Sequence, residues 1–305
     1  MTLPDHPSWF SEPCFLGIDE AGRGPVLGPM VYACAFAPIA YRDTIGKQAY
    51  ADSKTLTQDK REILFETIQQ DPQISSLFDV LSAADISMSM LSRDRLSLNT
   101  LANESTFKVL DGALQNNVNL QEVFVDTVGD AAKWQSRLEG KYPGIRFVVC
   151  PKADSLYPIV SAASIVAKVT RDRLLRDTRA PELAGKGGTE YGSGYPGDPL
   201  TTAWLKSSVD GVFGYPALVR FSWQTTTRML EDTACAVHWE HEADDPGQLT
   251  LDFAAALPRG DPDSKQQTSR GSSSQSKPPP VASSGKNRHS YFRARKMQRL
   301  CQPVS

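Results

Sequence analysis

Two adjacent carboxylates, Asp19 and Glu20, stand where an apolar run, Phe15-Leu16-Gly17-Ile18, gives way to a glycine-rich turn, Ala21-Gly22-Arg23-Gly24-Pro25. A carboxylate at the end of a core strand is costly to desolvate unless a cation or a hydrogen-bond donor compensates it. Glycines on both sides of Arg23 let the backbone take φ > 0 and approach a ligand without interference from a Cβ. The plainer alternative is a strand that ends in a tight turn. A second β-rich run, Glu122-Val123-Phe124-Val125, also ends on a carboxylate, Asp126, and breaks at Val128-Gly129. If the two strands are parallel, both ends fall on one edge of a sheet, where sites in α/β folds are built. A fourth acid, Asp154, stands in Lys152-Ala153-Asp154-Ser155 at the entrance of a long helix. The helix dipole favours negative charge there, so a simple N-terminal cap is its competing role.

If these carboxylates converge, a site with no histidine or cysteine among them is a hard-oxygen site, suited to Mg²⁺ or Mn²⁺ and not to zinc. At 4 Å separation and an effective dielectric of 20, each pair of like charges repels by about 4 kcal/mol, so such a cluster must bind metal or take up protons. His238 and His241 lie far downstream beside Glu240 and Glu242 and read as part of a solvated acidic stretch.

The positioning elements follow from periodicity. Residues 15–18, 30–36, 77–81, 122–126 and 145–150 read as strands. Thr57 is placed to cap a helix carrying Ile63, Leu64 and Ile68 on one face. Helices are expected over 84–93, over 98–115 with Leu101, Phe107, Leu110 and Leu114 inward, and over 131–140. A long helix opens at 152, its small residues 161–164 able to lie close against a sheet. Asn99 enters the 98–115 helix, where capping is its ordinary role. A glycine-rich loop covers 179–190, and Tyr195 stands in a Gly-Tyr-Pro turn before a helix from Asp198 to about Ser207.

The chain has 305 residues, 40% of them hydrophobic, enough for one sizeable core with residues to spare. No run approaches 18 apolar residues, and the N-terminus lacks the basic start and apolar run of a secretory signal, so neither a membrane span nor secretion is expected. Five cysteines without a CxxC pair fit a reducing compartment. The formal net charge of −2 hides an asymmetry: from Arg259 onward there are ten Lys/Arg against two acids, leaving 23 basic against 33 acidic residues in 1–258. Residues 259–288, rich in Ser, Pro, Lys and Gln, lack the apolar surface to offset ordering and read as disordered.

The strings DEAGRGP at 19–25 and KADSLYPIVSAASIVAKVTRD at 152–172 resemble motifs of type 2 ribonucleases H, the ribonuclease HII family, and the likeness runs over about 14–240. The resemblance implies an α/β, ribonuclease H-like fold, a mixed central sheet flanked by helices, with a helical C-terminal lobe and a disordered basic tail. It divides the chain into a lead-in (1–13), a catalytic domain (14–178), a region for substrate binding and subunit docking (179–257) and the tail (258–305). It implies hydrolysis of RNA in RNA/DNA hybrids and incision 5′ to single ribonucleotides in duplex DNA, leaving 3′-hydroxyl and 5′-phosphate ends. Asp19, Glu20, Asp126 and Asp154 would hold two divalent ions, Mg²⁺ or Mn²⁺. Gly22, Arg23 and Gly24 would read the 2′-hydroxyl, the one group that separates RNA from DNA locally. By the same resemblance Lys54, in Asp52-Ser53-Lys54, contacts a phosphate, Asn99 lies near the substrate backbone and Tyr195 stacks on the sugar at the RNA-to-DNA junction. It further implies a nuclear location and two accessory subunits, with Tyr291 and Phe292 in a short docking segment. Gln248-Leu249-Thr250-Leu251-Asp252-Phe253 faintly resembles a sliding-clamp peptide, although its aromatic spacing departs from the eukaryotic pattern. Two rivals share the acids: a junction resolvase or transposase-type nuclease, which needs no 2′-hydroxyl reader, and a non-catalytic hybrid-binding scaffold with structural Ca²⁺.

Overall fold

Among the described residues five strands, β1 (Cys14–Ala21), β2 (Met30–Pro38), β3 (Ser75–Leu81), β4 (Leu120–Asp126) and β5 (Arg146–Cys150), form one mixed sheet. The structure, a computed structural model, describes residues 7–48, 57–177 and 191–235. The strand order is β3-β2-β1-β4-β5, antiparallel from β3 to β1 and parallel from β1 to β5. β1 therefore lies in the middle with partners on both sides, and alternation sends its side chains into two cores. Cys14, Leu16 and Ile18 enter one, with Phe36, Val109 and Leu110, while Phe15 and Ala21 enter the other, with Ile159 and Val166.

The helices, in chain order, are α1 (Arg42–Lys47), α2 (Gln58–Gln70), α3 (Ala83–Leu91), α4 (Leu98–Gln115), α5 (Ala131–Lys141), α6 (Ala153–Leu156), α7 (Pro158–Asp177), α8 (Pro199–Ser208) and α9 (Gln224–Thr233). The first core is covered by α3, α4 and α5, through Ile86, Leu110 and Leu138. The second is covered by α1, α2 and α7, through Ile45, Ile68 and Ala163. A third cluster joins Val26 and Leu27, just after the glycine turn, to Leu175, Trp204, Tyr215 and Val219. Among the described residues no helix is long and apolar enough to cross a membrane.

Several local expectations meet the structure closely. Thr57 caps α2 by accepting from the Lys60 amide, and α4 spans Leu98–Gln115 with Leu101 and Leu110 buried. Others are corrected. Ile63 is exposed, because Leu64 and Ile68 share the buried stripe of α2 and Ile63 lies about 100° round from Leu64. Ser97, not Asn99, caps α4. The helix expected to open at 152 is two helices, α6 and α7: Tyr157 precedes Pro158 and is extended (φ −124°, ψ 110°), as a residue before proline favours. Trp9 and Phe10, in the stretch read as a lead-in, are buried and pack edge-on against Phe36, with ring centroids 6.1 and 5.6 Å away. A single turn of 3-10 helix, Ser8–Ser11, presents them, too short to leave a periodic signal. Lys54, the 179–190 loop, His238, His241, the 248–253 segment and the tail with Tyr291 and Phe292 lie outside the described residues.

Close packing of backbone on backbone joins β1 to α7. A Cβ placed on Gly17 would stand 2.6 Å from the carbonyl carbon and oxygen of Ile159 and from the Val160 amide nitrogen. The small residues Ser161, Ala162, Ala163 and Ser164 of α7 are all buried, so the helix backbone lies close to the sheet under the functional strand. Gly17→Ala should therefore destabilise the protein by about 3 kcal/mol through overpacking, read as a lowered urea midpoint with an unchanged m-value.

Candidate active site

Parallel pairing carries the candidate acids to one end of the sheet. The register runs from Cys14↔Leu120 to Ile18↔Val125, so Asp19 and Asp126 come next on neighbouring strands. Asp19 points to the α7 face, and Glu20, one residue on, to the α3/α4 face. Asp126 accepts from the Ala153 amide at 3.0 Å, which ties the end of β4 to α6 and to Asp154, itself buried. The Ser161 hydroxyl donates to the Asp154 carbonyl, anchoring that turn to α7. Lys152, at φ 59° and ψ 36°, supplies the left-handed step between β5 and α6. Asp154 is thus in the first turn of α6 and is not a capping residue.

Burial, with the neighbouring acids as a lesser cause, raises the proton affinity of Asp19 and Glu20. Burial pushes the Asp19 carboxyl up to about 7; a hydrogen bond from Ser164 lowers it, and the nearby Asp126 raises it again. The Glu20 amide also donates to Asp19 at 2.7 Å. Burial likewise pushes Glu20 up to about 8, reinforced by Asp19, Asp126 and Asp154 and opposed by Arg23. All four acids thus share one field. Among the described residues no three or more His, Cys, Asp or Glu side chains stand close enough together to hold a metal ion by themselves. The donors nevertheless fit Mg²⁺ or Mn²⁺, which are commonly held by one or two carboxylates with water and substrate phosphate completing the shell. Asp19, Glu20, Asp126 and Asp154 are the residues that would hold such ions.

The glycine turn is held from within by a residue nearly 200 positions away. Arg220, fully buried, donates to three backbone carbonyls: Gly28 at 2.9 Å, Arg23 at 3.1 Å and Gly22 at 2.6 Å. Its guanidinium also lies 4.7 Å from the Trp223 ring centroid, and the Trp223 indole donates to the Gly24 carbonyl at 3.1 Å. All three carbonyls of Gly22-Arg23-Gly24 are therefore engaged. Gly22 has φ 81°, and a Cβ there would meet the Pro29 carbonyl oxygen at 2.5 Å, so this position requires glycine. Burial lowers the Arg220 pKa to about 9, and the neighbouring Arg171 acts in the same direction.

Tyr195 is half exposed beside this turn; a Cβ on Gly24 would stand 3.4 Å from its ring. Its loop is pinned on both sides. Gly194 accepts from the Val26 and Leu27 amides at 2.8 and 3.2 Å, and its own amide donates to Thr201 at 2.9 Å. Asp198 caps α8 and accepts from the Ser193 amide and hydroxyl at 2.6 and 2.7 Å. These donors hold its carboxyl down at about 2. Across the site Arg23 donates to Asn99. Glu20, Arg23, Asn99 and Asp126 line one cleft of about 320 Å³, together with residues of α4 and α5.

The structure thus brings together the four acids, the glycine turn, Asn99 and Tyr195; Lys54 is outside the described residues. Sequence reasoning missed Arg220, Trp223 and Ser164. An arginine in the apolar surroundings of Leu218-Val219-Arg220-Phe221 was the available signal, because a buried guanidinium needs several acceptors.

A family model described as Ribonuclease HII matches residues 16–226. The A subunit of the ribonuclease H2 of Arabidopsis thaliana is 42% identical over 301 residues, covering 97% of this chain and 97% of the relative. The corresponding ribonuclease H2 chain of Mus musculus is 48% identical over 249 residues, 80% of this chain and 83% of the relative. Among solved structures, the ribonuclease H2 of Pyrococcus horikoshii OT3 superposes with a TM-score of 0.61 at 31% identity, covering 72% of this chain and 98% of that one.

The geometry of the turn and the protonation of the acids can each be tested. Arg220→Lys keeps a charge but loses the fork that serves three carbonyls, so it should cost about 2–4 kcal/mol, with faster hydrogen exchange at amides 22–28. In metal-free protein Asp19 and Glu20 have pKa values above their ordinary 3.8 and 4.5. Their contribution to stability is then complete below about pH 4 and lost as pH rises through about 7 to 8. Thermal midpoints from pH 4 to 9 should fall accordingly, and saturating Mg²⁺ should raise the midpoint strongly at pH 8 and little at pH 4.

Proposed function

The chain belongs to the ribonuclease HII family and is a hydrolase of the ribonuclease H type; from that premise we propose that it cuts RNA in RNA/DNA hybrids and incises 5′ to single ribonucleotides in duplex DNA, leaving 3′-hydroxyl and 5′-phosphate ends. The observation that carries this reading is the meeting of a carboxylate cluster with a glycine turn whose carbonyls are bound from the protein interior. One feature supplies the chemistry and the other the selection of ribose.

Asp19, Glu20, Asp126 and Asp154 are the proposed ligands of two divalent ions. When bound, such ions lower the pKa of an attacking water and offset charge on the leaving 3′ oxygen. Ser164 and the Ala153 amide hold the Asp19 and Asp126 carboxylates in place. With the carbonyls of Gly22, Arg23 and Gly24 engaged from behind, the turn offers its amides to a 2′-hydroxyl oxygen, and a fixed turn discriminates more sharply than a mobile one. Tyr195, against Gly24, presents its ring to the neighbouring sugar and disfavours a ribose on the 3′ side. Arg23, paired with Asn99, places its charge at the cleft beside Glu20. Lys54 is proposed as a further phosphate contact. The relatives are named as one subunit of ribonuclease H2, which supports a proposal that this chain works with accessory subunits, in the nucleus.

The resolvase reading leaves the pinned turn and Tyr195 without a purpose, since neither is needed to cut DNA. A duplex carrying one ribonucleotide, incubated with Mg²⁺ and the chain with its co-purifying subunits, should be cut 5′ to the ribonucleotide, and an all-DNA duplex should not. Asp126→Asn should fold normally and cut at less than about 1% of the wild-type rate, since loss of even an outer-shell partner commonly costs 10–100-fold. Cleavage of all-DNA junctions, or an active Asp126→Asn protein, would overturn the reading.

A further inference from the structure

Lys133 and Arg137 stand one helical turn apart on α5 and line the same cleft as Glu20 and Asp126. Both are exposed. A third cation on the stripe, Lys141, is tied down: its Nζ lies 3.4 Å from Asp111 and 3.8 Å from the Phe107 ring centroid. Among the described residues Lys133 and Arg137 have no carboxylate partner. Asp130, the acid nearest in sequence on this wall, spends one oxygen on the Lys133 amide at 3.1 Å as the cap of α5. Arg137 is propped on aromatic rings, its guanidinium 5.4 Å from the Phe107 centroid and 5.7 Å from that of Trp134. Such support restricts an arginine while leaving its donors free. The facing wall, from α4, is uncharged and polar, with Asn99, Asn103 and Thr106.

Two unpaired cations beside a cluster of acids, on a body with ten more acidic than basic residues through 258, are a local reversal of charge. We infer that Lys133 and Arg137 bind backbone phosphates of the nucleic-acid duplex outside the scissile position, so that α5 forms a second wall of the substrate groove. Residues at i and i+4 lie about 6 Å apart, a spacing on the order of that between neighbouring phosphates. The amides and hydroxyl of the α4 wall supply neutral donors to the same backbone. The floor of the cleft, occupied by Glu20 and Asp126, is left to the scissile phosphate. This inference rests on the hydrolase reading above and adds to it a positioning surface that the four acids and the glycine turn do not provide.

The test is steady-state cleavage of the single-ribonucleotide duplex by the full chain with its co-purifying subunits, wild type against the Lys133→Ala, Arg137→Ala double variant, from 50 to 200 mM salt. Two lost phosphate contacts should raise KM, leave kcat within about twofold, and make the slope of log(kcat/KM) against log[salt] less negative by about 1.8. Over that salt range the wild type should then lose roughly tenfold more than the variant. Arg137→Lys should restore its share of the slope, because the charge is retained. Trimming the duplex from each end should show one length at which the wild type loses its advantage over the double variant. If instead the variant lowers the melting temperature and kcat with no change in salt slope, Arg137 is only a packing residue on Phe107 and the inference fails while the hydrolase reading stands. If the wild type does not cut the ribonucleotide duplex at all, the underlying reading fails and this one with it.

Discussion

Asp19 and Asp126 are brought together by backbone hydrogen bonding, not by any attraction between their side chains. The parallel ladder of β1 and β4 fixes the strands in register up to Ile18 and Val125, and the next residue on each strand is an acid. Like charges at such separations repel by several kcal/mol even in a polarisable protein, so the ladder and the packing behind it must outweigh the repulsion. Much of the surrounding structure serves that end. The contact of Gly17 with the backbone of α7 leaves β1 no room to shift. Ser164, the Glu20 amide and the Ala153 amide each place a donor on a carboxylate. What remains of the repulsion is seen in the raised proton affinity of Asp19 and Glu20.

A second electrostatic conflict lies behind the glycine turn. Arg171 and Arg220 are both buried, and the nearness of Arg171 weakens the preference of Arg220 for its charged form, an arrangement that carries no stability of its own. Arg220 persists because three carbonyls of a tight turn need a donor and no backbone amide can reach them all. The positive charge that acts on the acids comes from elsewhere, from Lys168 on Asp19 and from Arg23 on Glu20.

The elements of this fold were legible where local chemistry decides them. The β1, β4 and β5 strands, the full span of α4, the Thr57 cap and the shared edge of the acids all follow from alternation, periodicity and capping. What escaped reading was set by distant partners. Arg220 looks like an ordinary polar residue until the carbonyls of residues 22, 23 and 28 are placed around it. The division of α6 from α7 turned on a residue before proline that a strong helical pattern concealed, and it leaves Asp154 inside the first turn of α6 instead of at a cap. Trp9 and Phe10 found the core through one 3-10 turn. The cations of α5 were visible as Lys133 and Arg137, but only the fold shows that they line the same cleft as Glu20 and Asp126.

The bonds from Arg220 and Trp223 to residues 22–28 close loops of 192 to 199 residues. On a ribosome adding 5–20 residues per second, that separation means roughly 10–40 s between the appearance of the turn and of the side chains that hold it. The sheet that positions the acids is complete well before then, since its last strand ends at Cys150. A growing chain therefore sets its four clustered carboxylates in place early and fixes the glycine turn beside them late, so the order of synthesis, as well as the geometry of the finished fold, bears on when the turn becomes rigid.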